Sequence, residues 1–292
     1  NVYGSPTAEF YSTGYCKDNA VHFTDITTTS GNQSLSEWHW NFGDPASGVN
    51  NTSREQNPSH TYAATGTYTV ELVTLTANGC SDTITHSVTI RPLPVTDFSY
   101  ETACQENPAQ FSPAGMAIPT IASWYWDFGD GNHSTLTSPS HIYNYAGTYT
   151  VTLTVTDTSG CQNQRSHPVV IVPLPLVNFD YSSPNCDDQS VQFTDFSTTQ
   201  AGYLARWYWD FGDGTTQVIN FPSTGSVSHT YTQAGTFNVT LLVKTSDSCS
   251  SVQTKTLTVL PKPTALFAHG AACQGTSVSF TDQSLSNTTA GI

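Results

Sequence analysis

The sequence predicts an all-β chain made of tandem antiparallel sandwiches strung into an elongated rod. Three observations predict it: a motif that recurs three times, apolar residues spaced with period two, and the absence of any helix-length apolar stripe. Trp40-Asn41-Phe42-Gly43-Asp44 returns as Trp126-Asp127-Phe128-Gly129-Asp130 and again as Trp209-Asp210-Phe211-Gly212-Asp213, at intervals of 86 and 83 residues. A second signature follows each: His60-Thr61-Tyr62, His141-Ile142-Tyr143 and His229-Thr230-Tyr231, then Gly66-Thr67-Tyr68, Gly147-Thr148-Tyr149 and Gly235-Thr236-Phe237.

Each element follows from its residues. In the second copy Tyr149, Val151, Leu153 and Val155 alternate with threonines, which reads as a strand with one face in a core and one in water. Trp124, Trp126 and Phe128 share a face, as do Val191 and Phe193. Gly, Pro, Asn and Ser separate strands about every 8–12 residues, the spacing of a sandwich. In the first copy the apolar phase slips after Leu72 to Val73 and Leu75, so a bulge or burial on both faces is expected there. Pro92-Leu93-Pro94, Pro173-Leu174-Pro175 and Pro261-Lys262-Pro263 close the copies. The expected domains are 1–92, 93–174 and 175–262, with 263–292 the opening of a fourth.

Composition excludes several functions. The 292 residues carry 8 Lys plus Arg against 22 Asp plus Glu, a net charge of −14. A nucleic-acid footprint and docking to anionic lipid are both disfavoured, and no apolar run is long enough to insert in a membrane. Scarce Lys and Met with plentiful Thr, Asn and Cys point to an exported, extracellular protein. With Asn1 first and no apolar leader, the expectation is a chain from which any signal peptide has been removed.

Trp-Asp-Phe-Gly-Asp-Gly, then Ser-His-x-Tyr, then Gly-Thr-Tyr-x-Val-x-Leu closely resembles the PKD domain, an immunoglobulin-like module. The resemblance covers residues 7–263 as three copies and implies seven-stranded sandwiches. Gly-Cys before the last strand and the Pro-x-Pro joints are similar to tandem arrays of large Bacteroidota surface proteins, among them gliding-motility adhesins carried by type IX secretion. The first copy departs, with Asn41 for Asp and Asp44-Pro45 for Asp-Gly, so its turn is expected to be remodelled.

The recurring residues read mainly as scaffold. Trp40, Trp126 and Trp209 are expected to pack the core with Phe42, Phe128, Phe211, Tyr68, Tyr149 and Phe237. Tyr125 and Tyr208 point outward by alternation. Asp127, Asp130, Asp210 and Asp213 are candidate calcium ligands, hard oxygens at a tight turn. Against that, two carboxylates are few for calcium, and turn amides would use them equally well. His60, His141 and His229 lie in separate copies, so no single ion collects them, and a structural hydrogen bond is expected. No nucleophile or phosphate-loop motif occurs, and neither catalysis nor a cofactor is expected. Asp82-Thr83-Ile84 resembles a Bacteroidota O-glycosylation acceptor, which makes Thr83 the candidate over Asn32, Asn51, Asn132, Asn238 and Asn287.

Seven cysteines follow the repeat, which in an exported chain argues for disulfides. Pairing within copies would give Cys16–Cys80, Cys104–Cys161 and Cys186–Cys249. In an immunoglobulin-like sandwich, however, the first of each pair lies between strands A and B and the second in the hairpin between F and G, at opposite poles. A strand of nine residues spans about 30 Å, whereas bridged Cα atoms lie within about 7 Å. Staggered bridges, Cys16–Cys161 and Cys104–Cys249, are therefore expected, with pairing within copies the alternative if the strand topology differs from the one assumed. Cys80, Cys186 and Cys273 are left for domains outside the chain.

These readings lead to a non-catalytic stalk or adhesive fibre of a long bacterial cell-surface protein. Its partners would be other PKD domains of the same chain, and surface glycans or proteins. The alternative is an accessory binding module of a secreted polysaccharide- or protein-degrading enzyme.

Overall fold

A computed structural model describes residues 3–31, 33–115, 120–183 and 185–285. The first repeat contains β1 (Phe10–Thr13), β2 (Ala20–Asp25), β3 (Leu35–Asn41), β4 (Thr52–Ser53), β5 (Ser59–Thr61), β6 (Gly66–Thr76) and β7 (Ser81–Ile90). They form two sheets, β1-β2-β5 and β4-β3-β6-β7. The second repeat contains β8 (Phe98–Tyr100), β9 (Ala103–Cys104), β10 (Pro108–Pro113), β11 (Ile121–Asp127), β12 (His133–Ser134), β13 (Ser140–Ile142), β14 (Gly147–Asp157) and β15 (Gln162–Val172). Its sheets run β13-β10-β8 and β12-β11-β14-β15-β9. The third contains β16 (Phe179–Tyr181), β17 (Ser190–Asp195), β18 (Leu204–Asp210), β19 (Thr216–Asn220), β20 (Val227–Thr230), β21 (Gly235–Thr245) and β22 (Ser250–Val259). Its order is again three plus four, β16-β17-β20 and β19-β18-β21-β22. Beyond them β23 (Phe267–His269) and β24 (Phe280–Asp282) pair as an antiparallel hairpin.

The residues group into two compact units, and the division falls inside the second repeat. The first comprises Asn1–Tyr100, Gln110–Ser140 and Thr150–Pro168; the second comprises Glu101–Ala109, His141–Tyr149 and Val169–Ile292. In the first unit Phe10, Phe23, Trp40, Phe42, Val70 and Leu72 belong to one apolar cluster. In the second, Phe179, Phe193, Trp209, Phe211, Val239 and Leu241 occupy corresponding places. Trp40, Trp126 and Trp209 are no more than 2% exposed, so each indole fills a core.

Two expectations need correction. Tyr68, Tyr149 and Phe237 are half-buried rather than interior. They sit two residues into their strands, at the sandwich end, and lean on the rings of Tyr62, Tyr143 and Tyr231 at 4.2, 4.2 and 4.4 Å. Tyr68 and Tyr149 also donate their hydroxyls to the carbonyls of Ala64 and Tyr145. They cover the end of the core, and Tyr62, Tyr143 and Tyr231 fill it.

The phase of β6 does not slip. Its pairing with β7 runs unbroken from Gly66↔Ile90 to Leu75↔Ser81. Thr74 and Thr76 continue the buried face after Leu72, while Val73 and Leu75 point outward and half-buried. The irregularity lies on the neighbouring strand, where register shifts between Leu35 and Glu37.

The first repeat's turn is remodelled. Two short 3-10 turns within Pro45–Asn51, joined by a kink at Gly48, begin where the other repeats have the glycine of Asp-Gly. Asn51 closes them: its Oδ1 accepts from Asp44 N and its Nδ2 donates to Asn41 Oδ1. Proline suits the first helical position because the amide it lacks would have no helical acceptor there.

Candidate functional site

The recurring motif builds one turn in each repeat. Asp127 and Asp210 each accept from the glycine amide two residues on, at 2.9 Å, and Asn41 does the same at 3.0 Å. That glycine has a positive φ, 70°, 77° and 78° at Gly43, Gly129 and Gly212. A side chain there would also strike the neighbouring strand: a Cβ on Gly129 would lie 2.6 Å from the Thr150 carbonyl oxygen. Glycine is therefore required twice over, by conformation and by space.

The motif's last aspartate ties this turn to the histidine signature. His60 Nε2 donates to Asp44 Oδ2 at 3.1 Å, and His229 Nε2 to Asp213 Oδ2 at 2.7 Å. Each imidazole lies flat on the motif phenylalanine, with ring centroids 4.5 Å apart at Phe42 and 4.0 Å at Phe211. The tyrosine two residues on is fully buried, and Tyr62 and Tyr231 donate to the carbonyls of Phe42 and Phe211. Burial pushes both tyrosine hydroxyls well above their ordinary pKa. Partial burial works against ionising Asp213, yet hydrogen bonds from Thr215 and His229 outweigh it and hold the carboxyl below the usual range.

This arrangement accounts for the calcium candidates. Asp127 and Asp210 accept glycine amides, Asp130 accepts from the amide and side chain of Asn132, and Asp213 accepts from Thr215 and His229. Among the described residues no group of three or more His, Cys, Asp or Glu is placed to hold a metal ion.

Sequence reasoning missed two parts of the scaffold. The tyrosine of Ser-His-x-Tyr is the buried anchor of the turn; its signal was its recurrence exactly two residues after each histidine. The other is an indole–carboxylate bond. Trp38 Nε1 donates to Asp25 Oδ2 at 2.8 Å, and Trp207 Nε1 to Asp195 Oδ2 at 2.7 Å. The signal was Phe-Thr-Asp at 23–25 and 193–195, replaced by Phe111-Ser112-Pro113 in the second repeat.

The cysteines occupy two kinds of turn. Cys16, Cys104 and Cys186 lie where the chain enters the second strand of its repeat, beside the end of the last one: Cys16 bridges to Arg91, Cys104 to Val172 and Cys186 to Leu260, all parallel. Cys80, Cys161 and Cys249 lie in the hairpin before the last strand. Disulfides join Cys16 to Cys161 and Cys104 to Cys249, with Cα atoms 5.5 and 5.6 Å apart. Pairing as Cys16–Cys80, Cys104–Cys161 and Cys186–Cys249 does not occur, because the long strands β6, β14 and β21 separate the two kinds of turn. Cys80, Cys186 and Cys273 are free thiols.

The first bridge lies beside the proline joint of its own unit. Asn163 Nδ2 donates to the Pro94 carbonyl, and Arg91, Leu93, Val95, Ile121 and Asp157 line a groove at the same place. Thr83 is exposed on β7, while Asp82 before it accepts from the Ala8 amide at 2.8 Å. Asn32 and Asn287 lie outside the described residues.

Comparison with known proteins follows the repeat. The family profile described as PKD domain matches residues 4–92, 91–172 and 173–259. Human polycystin-1 is 29% identical over 251 residues, 81% of this chain and 6% of polycystin-1. The microbial collagenase of Vibrio alginolyticus is 50% identical over 54 residues, 18% of this chain and 7% of the collagenase. Among solved structures, the PKD1 domain from the Vibrio cholerae metalloprotease PrtV is 27% identical with a TM-score of 0.26, covering 30% of this chain and 96% of that domain. The chain thus spans a small part of the length of the curated relatives it matches. Three consecutive family matches coincide with three copies of one glycine turn, and the chain belongs to the PKD domain family.

Proposed function

We propose that this chain is a non-catalytic segment of a longer exported protein, in which disulfide-stapled PKD repeats serve as a stalk or adhesive fibre at a bacterial cell surface. One observation carries the reading: both bridges tie the entry turn of one repeat to the last hairpin of the next, with the same sequence separation of 145. A covalent link repeated at one position in successive repeats resists their separation under load, a property a fibre needs. Disulfides also persist where the environment is oxidising, which supports an extracellular location. Cys80, Cys186 and Cys273 extend the same rule to further repeats. A Bacteroidota parent with type IX export belongs to this proposal, resting on the Gly-Cys hairpins and Pro-x-Pro joints, and Thr83 is its glycosylation acceptor.

Non-reducing peptide mapping tests the reading: the peptide holding Cys16 is expected to travel with Cys161, and that of Cys104 with Cys249. Cys16 joined to Cys80 would refute it. A second reading, an accessory module of a secreted degradative enzyme, draws on the similarity to collagenases. Retention of the intact chain on insoluble collagen, with no adhesion of cells displaying it, would favour that alternative.

A further inference from the structure

The outward face of the third repeat departs from the scaffold that the other repeats share. On the sheet β19-β18-β21-β22, Val218, Tyr208, Leu242 and Val252 lie opposite one another in a single row across all four strands. Val218, Tyr208 and Val252 are 44%, 37% and 58% exposed. The next outward row reads Asn220, Arg206, Lys244 and Ser250, which sets two cations directly across from each other. The corresponding rows of the first repeat hold His39, Val73 and Thr83, and Glu37, Leu75 and Ser81. In the second they hold Tyr125 with Thr154, and Ser123 with Thr156.

Like charges facing across a strand pair destabilise it, and the chain has only 8 basic residues to place. Arg206 is held in position: its Nε donates to Asn220 Oδ1 at 2.9 Å, and its guanidinium lies 5.1 Å from the centre of the Tyr208 ring. Among the described residues neither Arg206 nor Lys244 forms an ion pair, so the outer edge of the guanidinium fork and the ammonium remain free for an anion. Arginine fixed in this way suits a planar, two-oxygen acceptor.

The geometry points to a binding site for an acidic polysaccharide, whose ring carboxylate or sulfate meets Arg206 and Lys244 while the apolar side of the sugar covers Tyr208 and its row. Size favours a sugar chain over a folded protein. The row is about 14 Å wide and two residues deep, far below the roughly 800 Å² per partner of a stable protein interface. The site is independent of the stapled-fibre reading, since neither bridge contributes a residue to it.

Affinity electrophoresis of the intact chain tests the site, with polygalacturonate, heparin, neutral dextran and polyglutamate as probes. Because the chain carries a net charge of −14, general attraction for polyanions is absent and retardation reports a local site. Retardation by polygalacturonate or heparin and not by dextran is expected, the two acidic probes separating carboxylate from sulfate recognition. The double variant Arg206→Gln, Lys244→Gln should lose affinity about tenfold or more. Tyr208→Thr should weaken binding with both charges intact, and thermal melting would show that both variants fold. No retardation by either acidic polysaccharide, or retardation unchanged in the double variant, would overturn the site. Equal retardation by polyglutamate would assign it to acidic peptides instead. Self-association of the wild type abolished by the same variants would assign it to a second copy of the chain.

Discussion

Tyr231 brings one hydroxyl into a fully buried place, where it donates to the Phe211 carbonyl. Removing it in Tyr231→Phe leaves that carbonyl without its tyrosine donor, and a loss of about 1–2 kcal/mol is expected from urea denaturation of the third repeat. Asp213 makes a different prediction. Its folded pKa lies below the ordinary value of 3.8, so its stabilising effect is present above that value and disappears as pH falls through the folded pKa. The third repeat should therefore lose stability steadily below about pH 4, and Asp213→Asn should flatten this part of the profile. An unchanged acid limb would mean that the aspartate–histidine bond contributes nothing net. Of this cluster, the sequence revealed the histidines as structural and the glycines as turn formers. It did not reveal which aromatic was buried, because Tyr62, Tyr143 and Tyr231 recur as regularly as Tyr68, Tyr149 and Phe237, and only the packed sandwich distinguishes its interior from its end.

Among the strands, β6 shows how a fold tolerates a weak local pattern. Thr74 sits on the buried face and its hydroxyl has no hydrogen-bond partner. Thr74→Val keeps the branched shape and removes the orphaned polar atom, so a gain of about 1 kcal/mol is expected by urea denaturation. A loss would show that the hydroxyl has a partner in solution. From sequence the same stretch reads as a slipped phase, since apolarity was the only guide to orientation. In the strand, the continuous register with β7 decides which face each residue takes, whatever its polarity. The motif turn makes the opposite case, because its chemistry is local. Gly129→Ala combines an unfavourable φ of 77° with a contact of 2.6 Å to the Thr150 carbonyl oxygen. A destabilisation of about 2–3 kcal/mol follows, measurable by thermal melting.

At the scale of the molecule the bridges matter more to the joints than to each core. In the chain-entropy account, closing a loop of this length restricts the denatured chain by about 5 kcal/mol, but only if everything inside the loop unfolds together. Repeats that each have their own core unfold separately and realise less of it. Cys16→Ser with Cys161→Ser should therefore barely shift the melting of the first repeat. It should accelerate hydrogen exchange at the Arg91 and Asp157 amides beside the bridge, which donate to the carbonyls of Tyr15 and Cys161. A large drop in melting temperature without faster exchange would mean that the bridge supports a core instead.

Fold class, repeat number and the staggered disulfides could be read from the sequence because each rests on periodicity and on the length of a strand. Alternation specifies a face, recurrence specifies a copy, and an extended strand cannot bring its own ends together. Tertiary structure decided what depends on neighbours distant in sequence. It selected the buried aromatic of each pair, kept β6 in phase through two buried threonines, and placed Arg206 opposite Lys244 on one open face. The physical reason is the same in all three: cross-strand register and packing set which residues meet, and neither is written in the order of residues along a single strand.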